Sequence, residues 1–331
     1  YHESAAGRAH PWVAHLMDQG KPQRVIDLGR HAAWHDDLPR VIRPDLVLTD
    51  DGVCISELDS VPGGIGLTAW LNQTYAALGD DVIGGASGIG WATAGRLAAE
   101  GCRVTLADRN VDGARDRAAQ LGEPHTWAEV EVTDEDSVTR LFDGVVAREG
   151  ALHVVVNCAG FSGFGLITEL DAEQFRSVID VCLTGAFLVL KHAGRHLGEG
   201  GTVVSLTSLN ARQPAIGMSA YCAAKAGLSM LTEVAALEMG PRGIRVNAVA
   251  PGFVHTPLTE GAAAIPGVVE EYVENTALGR AGTPEDIADA VAFLCSPASS
   301  WLTGEVLDLN GGAHLKRYPN IHEHLTRLMS Q

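Results

Sequence analysis

One short stretch constrains this chain more than any other. Val82–Ile83–Gly84–Gly85–Ala86–Ser87–Gly88–Ile89–Gly90 passes from a β-branched pair through a glycine-rich turn into a helical pattern, Trp91 to Glu100, that stops at Gly101. Glycine at 84, 88 and 90 lets the backbone turn sharply and lets a pyrophosphate approach without meeting a Cβ. It also leaves free helix N–H groups aimed at anionic oxygens. Gly84, Ser87, Gly88, Ile89 and Gly90 are therefore candidate contacts for a dinucleotide. A tight strand-to-helix turn of purely structural use fits the same residues.

The surroundings decide between the two readings. From Val82 onward, short β-branched runs alternate with longer Ala/Leu-rich helical stretches, the rhythm of a parallel sheet covered by helices on both faces. The expected fold is α/β, a Rossmann-type doubly wound parallel sheet over residues 82–331, with an atypical N-terminal extension over residues 1–81. A second apolar strand, Arg103 to Ala107, ends in Asp108, eighteen residues after Gly90. A carboxylate there accepts hydrogen bonds from the adenine ribose and repels a 2′-phosphate, so NAD is expected over NADP. Arg109 follows at once and would welcome that phosphate, which keeps NADP as the lesser alternative.

The extension reads differently. Its pattern predicts a helix at Pro11 to Met17, and a hairpin in which Asp45 to Thr49 and Val53 to Leu58 flank Asp50–Asp51–Gly52. A helical stretch follows near Leu67 to Leu78. Glu57–Leu58–Asp59–Ser60–Val61–Pro62–Gly63 resembles the magnesium-holding element of ATP-grasp ligases, with Asp59 where asparagine is usual. Two carboxylates two apart on a strand share a face, as one hard cation requires. A hairpin strand running into a Pro-Gly turn is the preferred reading of the same residues. The resemblance implies only a fragment of such a domain, since residues 1–81 leave no room for a nucleotide-clamping lobe.

Composition narrows the partners. With 46% apolar and 20% charged residues the chain is an ordinary globular one, and a formal charge of −17 repels phosphate backbones and anionic lipid surfaces. Nucleic acid and membranes are not expected; a small-molecule substrate and other subunits are. No apolar run reaches a membrane span and no leader pattern is present, and Cys54, Cys102, Cys158, Cys182, Cys222 and Cys295 show no disulfide or zinc spacing. Reduced thiols in a cytoplasmic protein are the expectation.

Further landmarks arrive in a fixed order: Glu131–Val132–Thr133–Asp134, Asn157–Cys158–Ala159–Gly160, Ser208, Tyr221 with Lys225, Asn247, Pro251–Gly252 with Val254 and Thr256, and the closing Thr303 to Gly312. In this order they resemble the short-chain dehydrogenase/reductase family. The resemblance implies that Glu131 and Val132 lie by the adenine and that Asn157, Ala159 and Gly160 support the central strand and ribose. It also implies that Pro251, Gly252, Val254 and Thr256 meet the carboxamide or phosphates.

Tyr221 and Lys225 sit four apart in a helical run, so both project from one face. A phenol titrates near 10, and a neighbouring ammonium is expected to bring it toward working pH, making Tyr221 a general acid and base. Ser208, thirteen residues earlier, ends the strand Thr202 to Leu206 and can hydrogen-bond the same substrate oxygen. The resemblance adds that Lys225 holds the nicotinamide ribose. Ser208, Tyr221 and Lys225 are thus the candidate catalytic residues of an oxidoreductase acting on a secondary alcohol or ketone.

Two departures favour an alternative, a catalytically impaired dinucleotide-binding module. Leu78–Gly79–Asp80–Asp81 precedes the glycine-rich turn where an apolar central strand is usual, so only Val82 and Ile83 are expected to pair. Cys182 stands where the family has an asparagine that bends a helix and holds a water leading protons to the lysine. Cysteine is a weak hydrogen-bonder and does not replace an amide.

Substrate choice is expected in Pro257 to Tyr272, a small, apolar, mobile segment, with Phe161, Phe164 and Met218 as apolar walls. His192, His196 and His255 have no metal spacing and read as packed or solvated. Long helices at Phe175 to His196 and Ser219 to Glu238 resemble subunit-pairing helices, which implies a dimer or tetramer. The tail from His314 to Gln331 is long enough to reach a neighbouring subunit.

Overall fold

A computed structural model describes residues 43–49, 52–59 and 79–329, in two compact units, Tyr1–Trp70 and Leu71–Gln331. In the first unit β1 (Arg43–Thr49) pairs antiparallel with β2 (Gly52–Asp59), closing at Thr49 opposite Gly52, as the hairpin reading expects. The ATP-grasp-like element runs off the end of β2 at Asp59, and its remainder lies outside the described residues, as do both expected helices. A magnesium site there is not shown.

The second unit alternates strand and helix: β3 (Gly79–Ile83), α1 (Gly88–Ala99), β4 (Arg103–Asp108), α2 (Val111–Leu121), β5 (Thr126–Glu129), α3 (Glu135–Glu149) and β6 (Leu152–Asn157). There follow α4 (Ala172–Ile179), a π-helical turn (Asp180–Thr184), α5 (Gly185–His196), β7 (Leu197–Leu206), α6 (Ser219–Met239) and β8 (Arg245–Pro251). The chain ends through α7 (Glu260–Ala263), α8 (Val268–Glu274), α9 (Pro284–Cys295), β9 (Val306–Leu309) and α10 (Ile321–Met329). All seven strands of this unit are parallel, in the order β5-β4-β3-β6-β7-β8-β9. The progression reverses between β3 and β6, which opens a crevice at the carboxyl ends of the strands.

The pleat divides the core in two. Side chains alternate along a strand, so Val82, Val154 and Val156 point to one face, where they pack with Leu97 of α1 and Ile287 and Leu294 of α9. Ile83 and Val155 point to the other, with Phe142 of α3 and Val189 of α5. Both faces are apolar, which is why the strands read as continuous hydrophobic runs rather than as alternating ones.

Helix starts follow local chemistry. Asp134 accepts from the Asp136 N–H to begin α3, and Thr283 and Asp286 form a reciprocal capping box beside Pro284 to begin α9. The expected helix Phe175 to His196 is one continuous run, Ala172–His196, whose apolar residues Val178, Leu188 and Val189 are buried.

The central strand corrects one expectation. Pairing is not confined to Val82 and Ile83: β3 starts at Gly79, with Asp80 in register with both Val104 and Val154, and Asp81 with Thr105 and Val155. Ladder hydrogen bonds come from the backbone, so an acidic pair does not forbid them. The segment Pro257 to Tyr272, expected to be mobile, folds into α7 and the start of α8.

Candidate active site

The glycine-rich turn leaves β3 into α1 under tight steric limits. Gly84 has φ +77°, and a Cβ on it would stand 2.9 Å from the Ala159 nitrogen. A Cβ on Gly90 would stand 2.0 Å from the Gly84 carbonyl oxygen, so only glycine lets helix and turn close on each other. Ser87 occupies the N-cap of α1 without a side-chain capping bond, which leaves its hydroxyl for another partner. The twelve-residue α1 then presents its free N–H groups to the crevice.

A cavity of about 310 Å³ lies over these strand ends. Its lining includes Gly84, Ser87, Gly88, Ile89 and Gly90 from the turn, Asp108 and Arg109 after β4, and Glu131 and Val132 after β5. It also includes Ala159 and Gly160 after β6, Ser208 after β7, Tyr221 and Lys225 from α6, and Pro251, Gly252, Val254 and Thr256 after β8. Asn157 is the exception. It is buried at the end of β6, where its Oδ1 accepts from the Ala159 N–H at 3.2 Å, so it shapes the loop from beneath. Asn247 likewise ties strands, donating to the Leu302 carbonyl and accepting from the Glu305 N–H.

Asp108 is doubly engaged: Oδ2 accepts from the Ala86 N–H at 3.1 Å and Oδ1 from the Asn110 N–H at 2.9 Å. One carboxylate thus couples the end of β4 to the glycine-rich turn. An elongated anionic ligand such as a dinucleotide fits this lining: glycine clearance, helix N–H groups and a carboxylate at a strand end occur in sequence along one crevice.

Ser208, Tyr221 and Lys225 meet where this cavity joins a second one of about 300 Å³, since Ser208 and Tyr221 line both. Lys225 Nζ donates to the Leu206 carbonyl at 2.6 Å and lies 5.6 Å from the Tyr221 ring centroid. The expected direction of the Tyr221 shift is reversed. Burial pushes its hydroxyl above the ordinary phenol value and nearby Cys182 adds to this, while the hydrogen bond with Ser208 pulls it down. Burial also pushes the Lys225 ammonium below its ordinary value and the Cys158 thiol up to about 12. The Ser208 hydrogen bond is the contact that favours the phenolate here.

Cys182 lies at the centre of the π-helical turn, buried, with Sγ donating to the Phe161 carbonyl at 3.2 Å. The widened helix expected of an asparagine is therefore present with cysteine in its place. Cys158, Cys182 and Cys222 are free thiols.

The second cavity is mostly apolar, with Phe164, Met218, Phe253, Leu258 and Ile265 in its walls. Of the three expected walls, Phe164 and Met218 stand here and Phe161 lines the first cavity instead. The tail expected to reach a neighbour folds back on its own unit. Tyr318, Ile321 and Leu325 close this cavity, and Asn210 also lines it, none of them singled out by the sequence; Tyr272, the last residue of the expected substrate segment, lines it too. Tyrosine is scarce, with five in the chain, and the i, i+4 pair Ile321 and Leu325 marks one apolar helix face. Those two signals were available.

Glu271 pins the tail: Oε1 lies 2.5 Å from Arg317, and Oε2 lies 2.7 Å from His324 Nε2 and accepts from the Asn320 N–H. Of the other histidines, His192 is buried and His196 contacts Asp143 at 3.0 Å. Among the described residues no cluster of three or more His, Cys, Asp and Glu side chains could hold a metal ion.

Comparison with known proteins agrees with this layout. A family model described as enoyl-(acyl carrier protein) reductase matches residues 84–314. The chain is 42% identical over 248 residues to a cis-4-hydroxycyclohexanecarboxylate dehydrogenase of Sinomonas cyclohexanicum, covering 73% of this chain and 98% of that one. It is 37% identical over 246 residues to a (3R)-3-hydroxyacyl-CoA dehydrogenase of Mus musculus, covering 70% and 94%. Among solved structures, a short-chain type dehydrogenase/reductase from Mycobacterium ulcerans superposes with a TM-score of 0.73 at 34% identity, covering 77% of this chain and 96% of that one.

Proposed function

The chain belongs to the short-chain dehydrogenase/reductase family of NAD(P)-dependent oxidoreductases acting on CH–OH groups, and we propose that it interconverts a secondary alcohol and its ketone with NAD, through Ser208, Tyr221 and Lys225. The observation that carries this reading is the convergence of Ser208 and Tyr221 on the junction between a cavity suited to a dinucleotide and an apolar one suited to a substrate.

The chemistry that a nicotinamide dinucleotide supplies when bound is hydride transfer to or from the carbinol carbon. Gly84, Ser87, Gly88, Ile89 and Gly90 hold its pyrophosphate, and Asp108 its adenine ribose, with the charge of Asp108 disfavouring a 2′-phosphate despite Arg109. Glu131 and Val132 flank the adenine; Ala159, Gly160, Pro251, Gly252, Val254 and Thr256 line the ribose and carboxamide end. Asn157 acts by fixing the Ala159 N–H.

In the direction of reduction, Ser208 donates a hydrogen bond to the substrate carbonyl oxygen and orients it. Tyr221 gives that oxygen its phenolic proton, and in oxidation takes the alcohol proton back. Burial keeps Tyr221 protonated, which suits the reductive direction. Lys225 holds the ribose hydroxyls and, through the Leu206 carbonyl, ties α6 to the end of β7. Apolar walls exclude water from the reacting carbon.

The active reading is preferred to an impaired one because β3 pairs on both sides and the π-helical turn persists with Cys182. A homo-oligomer, dimer or tetramer, is part of the proposal, supported by Phe187 and Met230, which are 47% and 58% exposed on α5 and α6. So is a reducing, cytoplasmic setting, supported by free Cys158 and Cys222 near the site. The test is oxidation of NADH and of NADPH by the full chain in the presence of aliphatic and alicyclic ketones. Turnover favouring NADH is expected; NADH binding with no ketone reduced would select the impaired module.

A further inference from the structure

Tyr318 lies beyond residue 314, where the match to the family model stops, yet it lines the substrate cavity. Its hydroxyl is 2.5 Å from that of Tyr272 and donates to Asn210 Oδ1 at 3.2 Å. The Asn210 N–H in turn donates to Ser208 Oγ at 3.1 Å. Ser208 Oγ also donates to Asn210 Oδ1, at 3.5 Å, the same oxygen that Tyr318 holds, so the Asn210 side chain sits within reach of the serine hydrogen that must turn to Tyr221 and a substrate oxygen. Tyr318 thus does two things: its ring is a wall, and its hydroxyl holds the side chain of the residue that sets the serine.

We propose that Tyr318 is a specificity-determining and positioning residue, and that the cavity it closes takes an uncharged ketone or secondary alcohol with an apolar body. This rests on the oxidoreductase reading above and adds the substrate class to it. None of the side chains lining the cavity carries a formal charge. Arg317 and His324 of the closing segment both pair with Glu271 of α8, and none of the three lines the cavity. A carboxylate entering here would shed its hydration with no counter-charge, whereas an alkyl or ring body gains burial against Phe164, Ile265, Ile321 and Leu325.

The segment is held firmly enough to discriminate. Besides the Glu271 cluster, Lys316 Nζ donates to the Glu274 carbonyl at 2.7 Å, and Gln213 Nε2 donates to the Lys316 carbonyl at 2.6 Å. Tyr318 therefore enters the cavity from an anchored strap.

The experiment is steady-state reduction of 2-octanone and of 7-oxooctanoate, a pair differing by a terminal carboxylate, with NADH binding measured alongside by fluorescence. The unsubstituted chain is compared with Tyr318→Phe, Tyr318→Ala and Leu325→Arg. The unsubstituted chain should favour 2-octanone by about 100-fold in kcat/KM. Tyr318→Ala should raise KM for 2-octanone about 10-fold, and Tyr318→Phe should lower kcat about 5-fold with KM nearly unchanged. Leu325→Arg should narrow the preference about 10-fold by supplying a counter-charge, a gain that misfolding does not produce. NADH affinity should stay within about twofold in all three variants, since the substituted residues lie outside the dinucleotide cavity. Equal kcat/KM for the two ketones, an unaltered KM in Tyr318→Ala, or an unaltered kcat in Tyr318→Phe would overturn the assignment. NADH binding with neither ketone reduced would instead sink the oxidoreductase reading, and this assignment with it.

Discussion

Lys225 donates from Nζ to the carbonyl oxygen of Leu206 at 2.6 Å, and this one bond joins the helix that carries Tyr221 to the strand end that leads into Ser208. Both partners are buried or nearly so, and a charge-assisted hydrogen bond in such surroundings holds geometry tightly. Burial pushes the ammonium below its ordinary value, with the neighbouring thiols Cys182 and Cys158 acting the other way.

That neighbourhood makes Cys182 the most informative substitution in α4–α5. Its Sγ donates to the Phe161 carbonyl and carries no second strong donor. Cys182→Asn should restore an amide beside Lys225 and raise kcat, about 3-fold or more, with substrate KM little changed. A stopped-flow measurement of the hydride step shows whether the gain lies in chemistry; no gain would mean that protons reach Lys225 by another route.

The pH dependence follows from Tyr221. Its folded-state pKa is raised, so the protonated form persists to higher pH than for a free phenol. Reduction, which consumes that proton, should hold level from about pH 6 to about pH 9, while oxidation, which needs the phenolate, should climb over the same range. Profiles of kcat/KM in both directions check this. A reduction rate already falling near neutrality would show a depressed rather than a raised value.

Asp108 should govern cofactor choice by charge. Asp108→Asn keeps an oxygen for the Ala86 N–H but removes the repulsion toward a 2′-phosphate, with Arg109 adjacent. The ratio of kcat/KM for NADPH over NADH should rise about 100-fold, measured with one ketone at saturation. An unchanged ratio would place the 2′ position elsewhere.

Glu271 should show its worth through acid stability. Burial alone would raise its pKa, but His324 and Arg317 outweigh this and hold it below the ordinary carboxylate range. A depressed folded value means stabilisation that is complete above the ordinary carboxylate pKa and lost as pH falls through the folded one. Glu271→Gln should cost about 1–2 kcal/mol near neutral pH, read as a lower melting temperature, and the gap should close only as pH falls below the ordinary carboxylate range.

Much of the dinucleotide cavity was legible in the sequence because its constraints are local. Gly84 and Gly90 are fixed by backbone clearance, Asp108 by its place at a strand end, and Tyr221 with Lys225 by one turn of helix. The substrate side was not, because it is assembled across the fold. Tyr318 meets Asn210 over a separation of 108 residues, and nothing in either local pattern signals the other. Strand β3 was misjudged from its first residues: the two carboxylates at 80 and 81 argued against a central strand, whereas the backbone pairs with β4 and β6 regardless. The shift of Tyr221 was misjudged for a related reason, since spacing in a helix shows which groups are near but not how deeply both are buried.

The most direct test is Tyr221→Phe, a change that removes one hydroxyl from a buried ring and leaves the dinucleotide cavity otherwise intact. Ketone reduction should fall by about 1,000-fold while NADH affinity stays within about twofold of the unsubstituted chain. Retention of more than about a tenth of the activity would contradict the assignment of Tyr221 as the proton donor.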